Sequence, residues 1–106
     1  MIYTFFRLED NCTASYSITL SRNTSTGRFG IGNYGNTVAF IEPKSPAYNN
    51  IQIREGDKLC FINGVEISDA TSTKAVSDMF RNGGNSLTLV AKRGNKFHVY
   101  VSIYLN

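Results

Sequence analysis

The sequence predicts a mainly β domain carrying one short and one longer helix, and three observations carry that expectation. Apolar and polar residues alternate through Tyr16–Ser21, Ser86–Ala91 and Phe97–Leu105, as they do in strands buried on one face. Turn dipeptides, chiefly Gly35-Asn36, Asn63-Gly64 and Gly94-Asn95, punctuate the chain. Only Ser72–Arg81 repeats its apolar residues at helical spacing over more than two turns. At 106 residues the chain has the length of one domain with one modest core.

Taken in order, residues 1–12 hold Ile2, Tyr3, Phe5, Phe6 and Leu8, enough for a short strand or an apolar flap, before the polar Glu9-Asp10-Asn11. Tyr16, Ile18 and Leu20 share one face of the first well-patterned strand. Arg22–Thr26 is a polar turn, followed by a glycine-rich loop and a short strand, Ile31–Tyr34. Gly35-Asn36 turns the chain into Thr37–Ile41, which Pro43 ends because proline supplies no backbone donor. Ser45 before Pro46-Ala47 suits the cap of a one- or two-turn helix, with Ile51 and Ile53 expected beneath it. Gly56-Asp57 is a turn, Lys58–Ile62 a strand and Asn63-Gly64 a type I′ hairpin into Val65–Ile67. Thr71 is placed to cap the long helix and Asn82-Gly83 to end it. On that helix Ser72, Val76 and Met79 fall at i, i+4 and i+7, one stripe, with Ala75 and Phe80 adjoining.

Composition excludes several function classes. No apolar run approaches the roughly 20 residues that cross a bilayer, and Met1–Phe6 lacks the basic leader and cleavage site of a signal peptide. Cys12 and Cys60 are too few for a disulfide framework, so a reducing, cytoplasmic setting is expected, with the inner face of the plasma membrane or cell junctions within it. The net charge of +3 comes from scattered basic residues, and no nucleic-acid partner is expected. Only Lys92, Arg93 and Lys96 cluster, as a hairpin tip or as a contact for phosphoinositide head groups. Cys12, Cys60 and His98 have no metal-ligand spacing. A single histidine with scattered hydroxyls offers no base-nucleophile set. The chain is therefore expected to be no enzyme and to need no cofactor. Gly30-Ile31-Gly32-Asn33-Tyr34-Gly35 fits the letter of a dinucleotide fingerprint, but a strand and Pro43 follow where a helix must receive the pyrophosphate.

What remains is Gly27-Arg28-Phe29-Gly30-Ile31-Gly32. Glycine tolerates positive φ and has no Cβ, so successive backbone N–H groups can turn inward and form a concave anion site. Phe29 and Ile31, two apart on extended backbone, then line an apolar pocket beside those donors. Such a combination suits a free peptide C-terminus.

The order of elements and four short motifs resemble a PDZ domain over about residues 16–92. Arg28-Phe29-Gly30-Ile31 resembles the carboxylate-binding loop and Ser45-Pro46-Ala47 the start of the short helix. Gly56-Asp57-Lys58-Leu59-Cys60-Phe61-Ile62-Asn63-Gly64 resembles the Gly-Asp to Asn-Gly hairpin, and Ala75-Val76 the centre of the groove helix. The resemblance implies a five- to six-stranded, partly open antiparallel β-barrel or sandwich capped by the two helices. It implies a protein-interaction module that takes the extreme C-terminal peptide of a partner by strand addition beside Ile31–Tyr34, with tails of membrane proteins among the candidates. The site it implies comprises Arg28, Phe29, Gly30, Ile31, Gly32 and Asn33, with Val76 and Met79 walling the pocket and Arg22 steering the carboxylate. Ser72 stands where the family often has a histidine, so a polar or mixed preference is expected two residues before the ligand's end. Gly32 and the short Gly35-Asn36 connection imply few contacts further upstream and an affinity around micromolar, near 8 kcal/mol.

The expected divisions are an N-terminal extension over 1–14, the binding domain over 15–93 and an extra strand over 94–106. Val101–Asn106 echoes Tyr16–Asn23, which suggests either chance β composition or the start of a similar module. Two other roles stay open: a self-associating module whose groove or edge is filled by its own flanking strands, and a non-catalytic appendage of a larger enzyme.

Overall fold

A computed structural model describes residues 15–94, and the readings made for 1–14 and 95–106 lie outside the described residues. The described elements are β1 (Ser15–Ser21), β2 (Ile31–Tyr34), β3 (Thr37–Ile41), α1 (Pro46–Asn49), β4 (Lys58–Ile62), β5 (Val65–Glu66), α2 (Thr73–Asn82) and β6 (Ser86–Lys92). They form the expected mainly β architecture. One antiparallel sheet runs β1-β6-β4-β3-β2, and β5 pairs with β4. β1 and β6 pair along their whole length, from Ser15 opposite Lys92 to Ser21 opposite Ser86. β3 and β4 pair at Thr37 and Lys58, and backbone hydrogen bonds Val38–Asp57, Gly56–Val38 and Leu59–Asn36 flank that pair.

The period-two pattern decides the core. Ile18 and Leu20 on β1 and Leu87, Leu89 and Ala91 on β6 turn to the same side and are buried with Leu59, Ile62, Val38 and Val76. Asn63 and Gly64 both take positive φ (49° and 81°), the type I′ geometry the Asn-Gly pair predicts. Ser45 caps α1, its Oγ accepting from the Tyr48 N–H at 3.1 Å. Beneath that helix Ile53 is buried, but Ile51 is 90% exposed, contrary to expectation.

The long helix starts one residue later than the sequence suggests. Ser72, not Thr71, is its cap: the Ser72 Oγ accepts from the Ala75 N–H at 3.1 Å. Thr71 instead closes the preceding turn, its Oγ1 accepting from the Ser68 N–H. Either hydroxyl residue satisfies the local rule, and Ser72, whose backbone is extended, is the one that caps.

Asp57 is fully buried where the chain ends of the sheet converge. Its Oδ2 accepts from the Tyr16 hydroxyl, from the Arg54 N–H at 3.1 Å and from Arg93 Nη1 at 2.7 Å. Arg93 also lies over the Tyr16 ring, 5.2 Å from its centroid, and donates to the Gln52 carbonyl. Arg93 is thus committed to the fold and is not a free cation for a head group, as the sequence reading allowed. Of the other members of that basic cluster, Lys92 ends β6 and Lys96 lies outside the described residues.

Candidate functional site

Because β2 ends the sheet path, its outer edge has no strand partner among the described residues, and α2 packs across from it. Between them lies a groove of about 520 Å³ that runs from the glycine loop along β2.

The loop conformation depends on glycine at two points. Gly27 and Gly30 have φ of 72° and 93°, a region that L side chains avoid. At Gly30 a Cβ would also stand 2.0 Å from the Ser45 Oγ, so the loop lies directly on the cap of α1. Three loop carbonyls point into the protein. Those of Arg28, Phe29 and Gly30 accept from the N–H groups of Asn23 (2.9 Å), Ala47 (3.0 Å) and Glu42 (2.8 Å). In a trans peptide the N–H of the next residue points opposite to the carbonyl, and no peptide bond here is cis. The N–H groups of Phe29, Gly30 and Ile31 are therefore turned away from the body of the protein. Among the described residues no hydrogen bond outside the sheet occupies those of Phe29 and Gly30. Three adjacent outward donors make an anion cradle.

Apolar walls flank the cradle. Phe29 is 4% exposed, Ile31 half-buried and Phe80 9% exposed, and all three border the groove with the more open Phe40. Arg22 lies over the Phe29 ring, 4.5 Å from its centroid. Its guanidinium donates to the carbonyls of Gly27 (2.8 Å), Phe80 (3.3 Å) and Gly84 (3.0 Å from Nε). It thus staples the loop to the C-terminal end of α2, where carbonyls left over by the helix need donors. Its donors are committed, yet its charge stays beside the cradle. At the mouth Arg28 forks onto Glu42, with Nε 3.2 Å from Oε1. That hydrogen bond holds the Glu42 carboxyl below the usual carboxylate range.

On the helix side the groove is bordered by Ser77, Phe80 and Arg81. Asn33 reaches across from β2. Its Nδ2 donates to the Gly35 carbonyl (2.9 Å) and the Thr73 carbonyl (3.2 Å), and its Oδ1 accepts from the Ser77 hydroxyl (2.9 Å).

Of the residues the sequence singles out, Arg22, Arg28, Phe29, Gly30, Ile31, Gly32 and Asn33 come together on the groove. Ser72, Val76 and Met79 do not. Val76 is fully buried in the core, Met79 is half-buried against it, and Ser72 is spent on capping. The face that meets the groove is that stripe moved on by one residue, at Ser77 and Phe80, with Thr73 a turn earlier bonded to Gly35. Sequence reasoning followed apolarity, which marks the face turned to the core; the groove face is polar at Thr73 and Ser77. A signal for it existed in Phe80, the large apolar residue left off the stripe.

Among the described residues no cluster of His, Cys, Asp or Glu is arranged to hold a metal ion, and no helix is long and apolar enough to cross a membrane.

Comparison with known proteins agrees with this geometry. The family model described as PDZ domain matches residues 10–92. The chain belongs to the PDZ domain family. Among solved structures, this PDZ domain is similar to Dlg1 PDZ2 of the choanoflagellate Monosiga brevicollis, with a TM-score of 0.68 at 18% identity, covering 76% of this chain and 99% of that one. It is also similar to the N-terminal PDZ domain of InaD, solved in complex with a NorpA C-terminal peptide. There the TM-score is 0.61 at 23% identity, covering 74% of this chain and 96% of the other. No match was found among curated proteins. The family model starts five residues before β1, so part of the N-terminal extension expected from sequence falls inside the matched region.

Proposed function

We propose that this PDZ domain is a non-catalytic interaction module that captures the free C-terminus of a partner protein. Strand addition at a sheet edge is the recognition mode known for the family, and the InaD domain's structure contains a C-terminal peptide. The observation that carries the reading here is the outward set of N–H groups at Phe29, Gly30 and Ile31. Their carbonyl partners are tied inward, so the donors need no rearrangement to meet a carboxylate. Beside them, Phe29, Ile31 and Phe80 offer an apolar recess for the last side chain, and Arg22 supplies a fixed positive charge. The partner's backbone adds antiparallel to the edge of β2.

The carboxylate dependence is the testable core. Free-acid C-terminal peptides should bind with Kd around micromolar, near 8 kcal/mol. Their amidated twins should lose at least roughly tenfold, since an amide surrenders the charge-assisted hydrogen bonds. Equal binding of acid and amide in a fluorescence titration would refute carboxylate capture.

A further inference from the structure

The groove is not equally open along its length. Near the cradle the cavity takes in Ile31 and Gly32, and it ends at Asn33 and Ser77; neither Tyr34 nor Thr73 reaches it. From there on, direct hydrogen bonds cross from β2 and its turn to α2. Ser77 Oγ donates to Asn33 Oδ1 at 2.9 Å, Asn33 Nδ2 to the Thr73 carbonyl at 3.2 Å, and the Gly35 N–H to Thr73 Oγ1 at 2.7 Å. A strand added to β2 lies about 4.8 Å out from it, in the space these bonds span. The last residues of a partner can reach the cradle, but residues further back meet a closed wall.

The two ends of α2 are held differently. At the C-terminal end Phe80 is buried, Arg22 donates to its carbonyl at 3.3 Å, and Asn63 Nδ2 donates to the Gly83 carbonyl at 3.4 Å. At the N-terminal end Ser72, Thr73, Lys74 and Ala75 are all exposed. Among the described residues, no hydrogen bond joins those four to the sheet other than the ones at Thr73. The next fixed point upstream is Asp69, which accepts from Asn36 Nδ2 at 3.1 Å and from Lys58 Nζ at 3.0 Å. The helix is thus pinned at one end. At the other it is fastened to β2 by polar bonds that water can replace at little net cost.

We infer that Asn33, Thr73 and Ser77 form a latch that shuts the upstream half of the groove in the free domain. It opens when the first turns of α2 swing away from β2 about the end that Arg22 holds. The latch regulates the C-terminus site proposed above and rests on that reading. Its effect on affinity follows from the populations: a ligand that needs the open groove binds with its intrinsic affinity lowered by the fraction of molecules unlatched. A ligand too short to reach Asn33 is not subject to that reduction. Asn33 therefore sets how much of a partner's tail the domain engages, without touching the cradle that takes the carboxylate.

The test uses free-acid octapeptides and acetylated dipeptides ending in Val, each with an amidated twin, on the wild type, Asn33→Ala and Thr73→Val. Thr73→Val keeps the branched shape and removes only the hydroxyl that accepts from Gly35. Thermal melting checks that each variant folds, and one folded variant suffices. The octapeptide should bind Asn33→Ala roughly fivefold tighter than the wild type, the worth of one net hydrogen bond, through faster association in stopped flow. In Thr73→Val the gain should be about twofold or more. The dipeptide, titrated by amide chemical shifts, should stay within about twofold of wild type in both variants, because it ends before Asn33. Saturating the wild type with octapeptide should speed hydrogen exchange at the Gly35 amide, which loses its Thr73 partner. Octapeptide affinity unchanged or weakened in the folded variants, or a Gly35 amide still protected at saturation, would overturn the latch. Amidated twins binding as tightly as the acids would instead remove the C-terminus reading, whereas acid-dependent binding with no gain in either variant would remove only the latch.

Discussion

At Gly30 one methyl group separates a working cradle from a blocked one. A Cβ there meets the Ser45 Oγ at 2.0 Å while the backbone sits at φ 93°. Gly30→Ala should cost about 2–4 kcal/mol of stability by thermal melting and abolish peptide binding. Ser72 provides the contrasting case. Its hydroxyl caps α2 and does not border the groove, so Ser72→Ala should lower stability by about 1 kcal/mol and leave the ranking of peptides unchanged. A shift in ligand preference would return Ser72 to the binding site. The two residues also show what a single sequence reveals at this scale. Positive φ and close approach restrict a site to glycine, so Gly27 and Gly30 advertise the loop by their identity. Which of two neighbouring hydroxyl residues caps a helix, and which face it then turns to a groove, depends on packing around Val76 and Phe80 that the local pattern does not encode.

Among elements, the β1–β6 pair and its link to the turn at Asp57 contain the most consequential electrostatics. Arg93, partly exposed, donates to an Asp57 carboxylate that is completely buried. Removing the cation leaves that charge uncompensated, which costs roughly 3–5 kcal/mol in a fully buried pair. Arg93→Ala should cost about 2 kcal/mol, less because the guanidinium side of this pair is wet. Burial, and then the hydrogen bond to Asp57, push the Tyr16 hydroxyl well above its ordinary value of 10.0. The unfolded chain therefore gives up the Tyr16 proton before the folded one does. The resulting stabilisation is complete below pH 10.0 and is lost as pH rises above it. Thermal melts from neutral pH into that range should fall less steeply for Tyr16→Phe than for the wild type. None of this triad was legible in the sequence: Gly56-Asp57 reads as a turn, and Tyr16 and Arg93 lie too far from it for any local pattern to join them.

For the whole molecule, the order of elements was written plainly because the long strands β1 and β6 repeat every second residue and most turns carry a glycine or proline. The closing contacts of the groove were not, since Gly35 and Thr73 lie on opposite walls and meet only through the tertiary fold. That closure gives the molecule two unlike halves. Under the proposed function the edge of β2 is for capture, while the long β1–β6 ladder at the opposite side of the sheet is for permanence.

That ladder also governs how the domain would respond to tension. Ser15 and Lys92 sit opposite each other, so a pull applied across these two points loads the ladder one rung at a time, as a zip is opened, and never all rungs in parallel. The first rungs to yield are those beside Tyr16, Asp57 and Arg93. A tether drawn taut through this module would meet that knot first and little mechanical resistance once it slipped, and the proposed ligand edge at the far side would be the last part to feel the load.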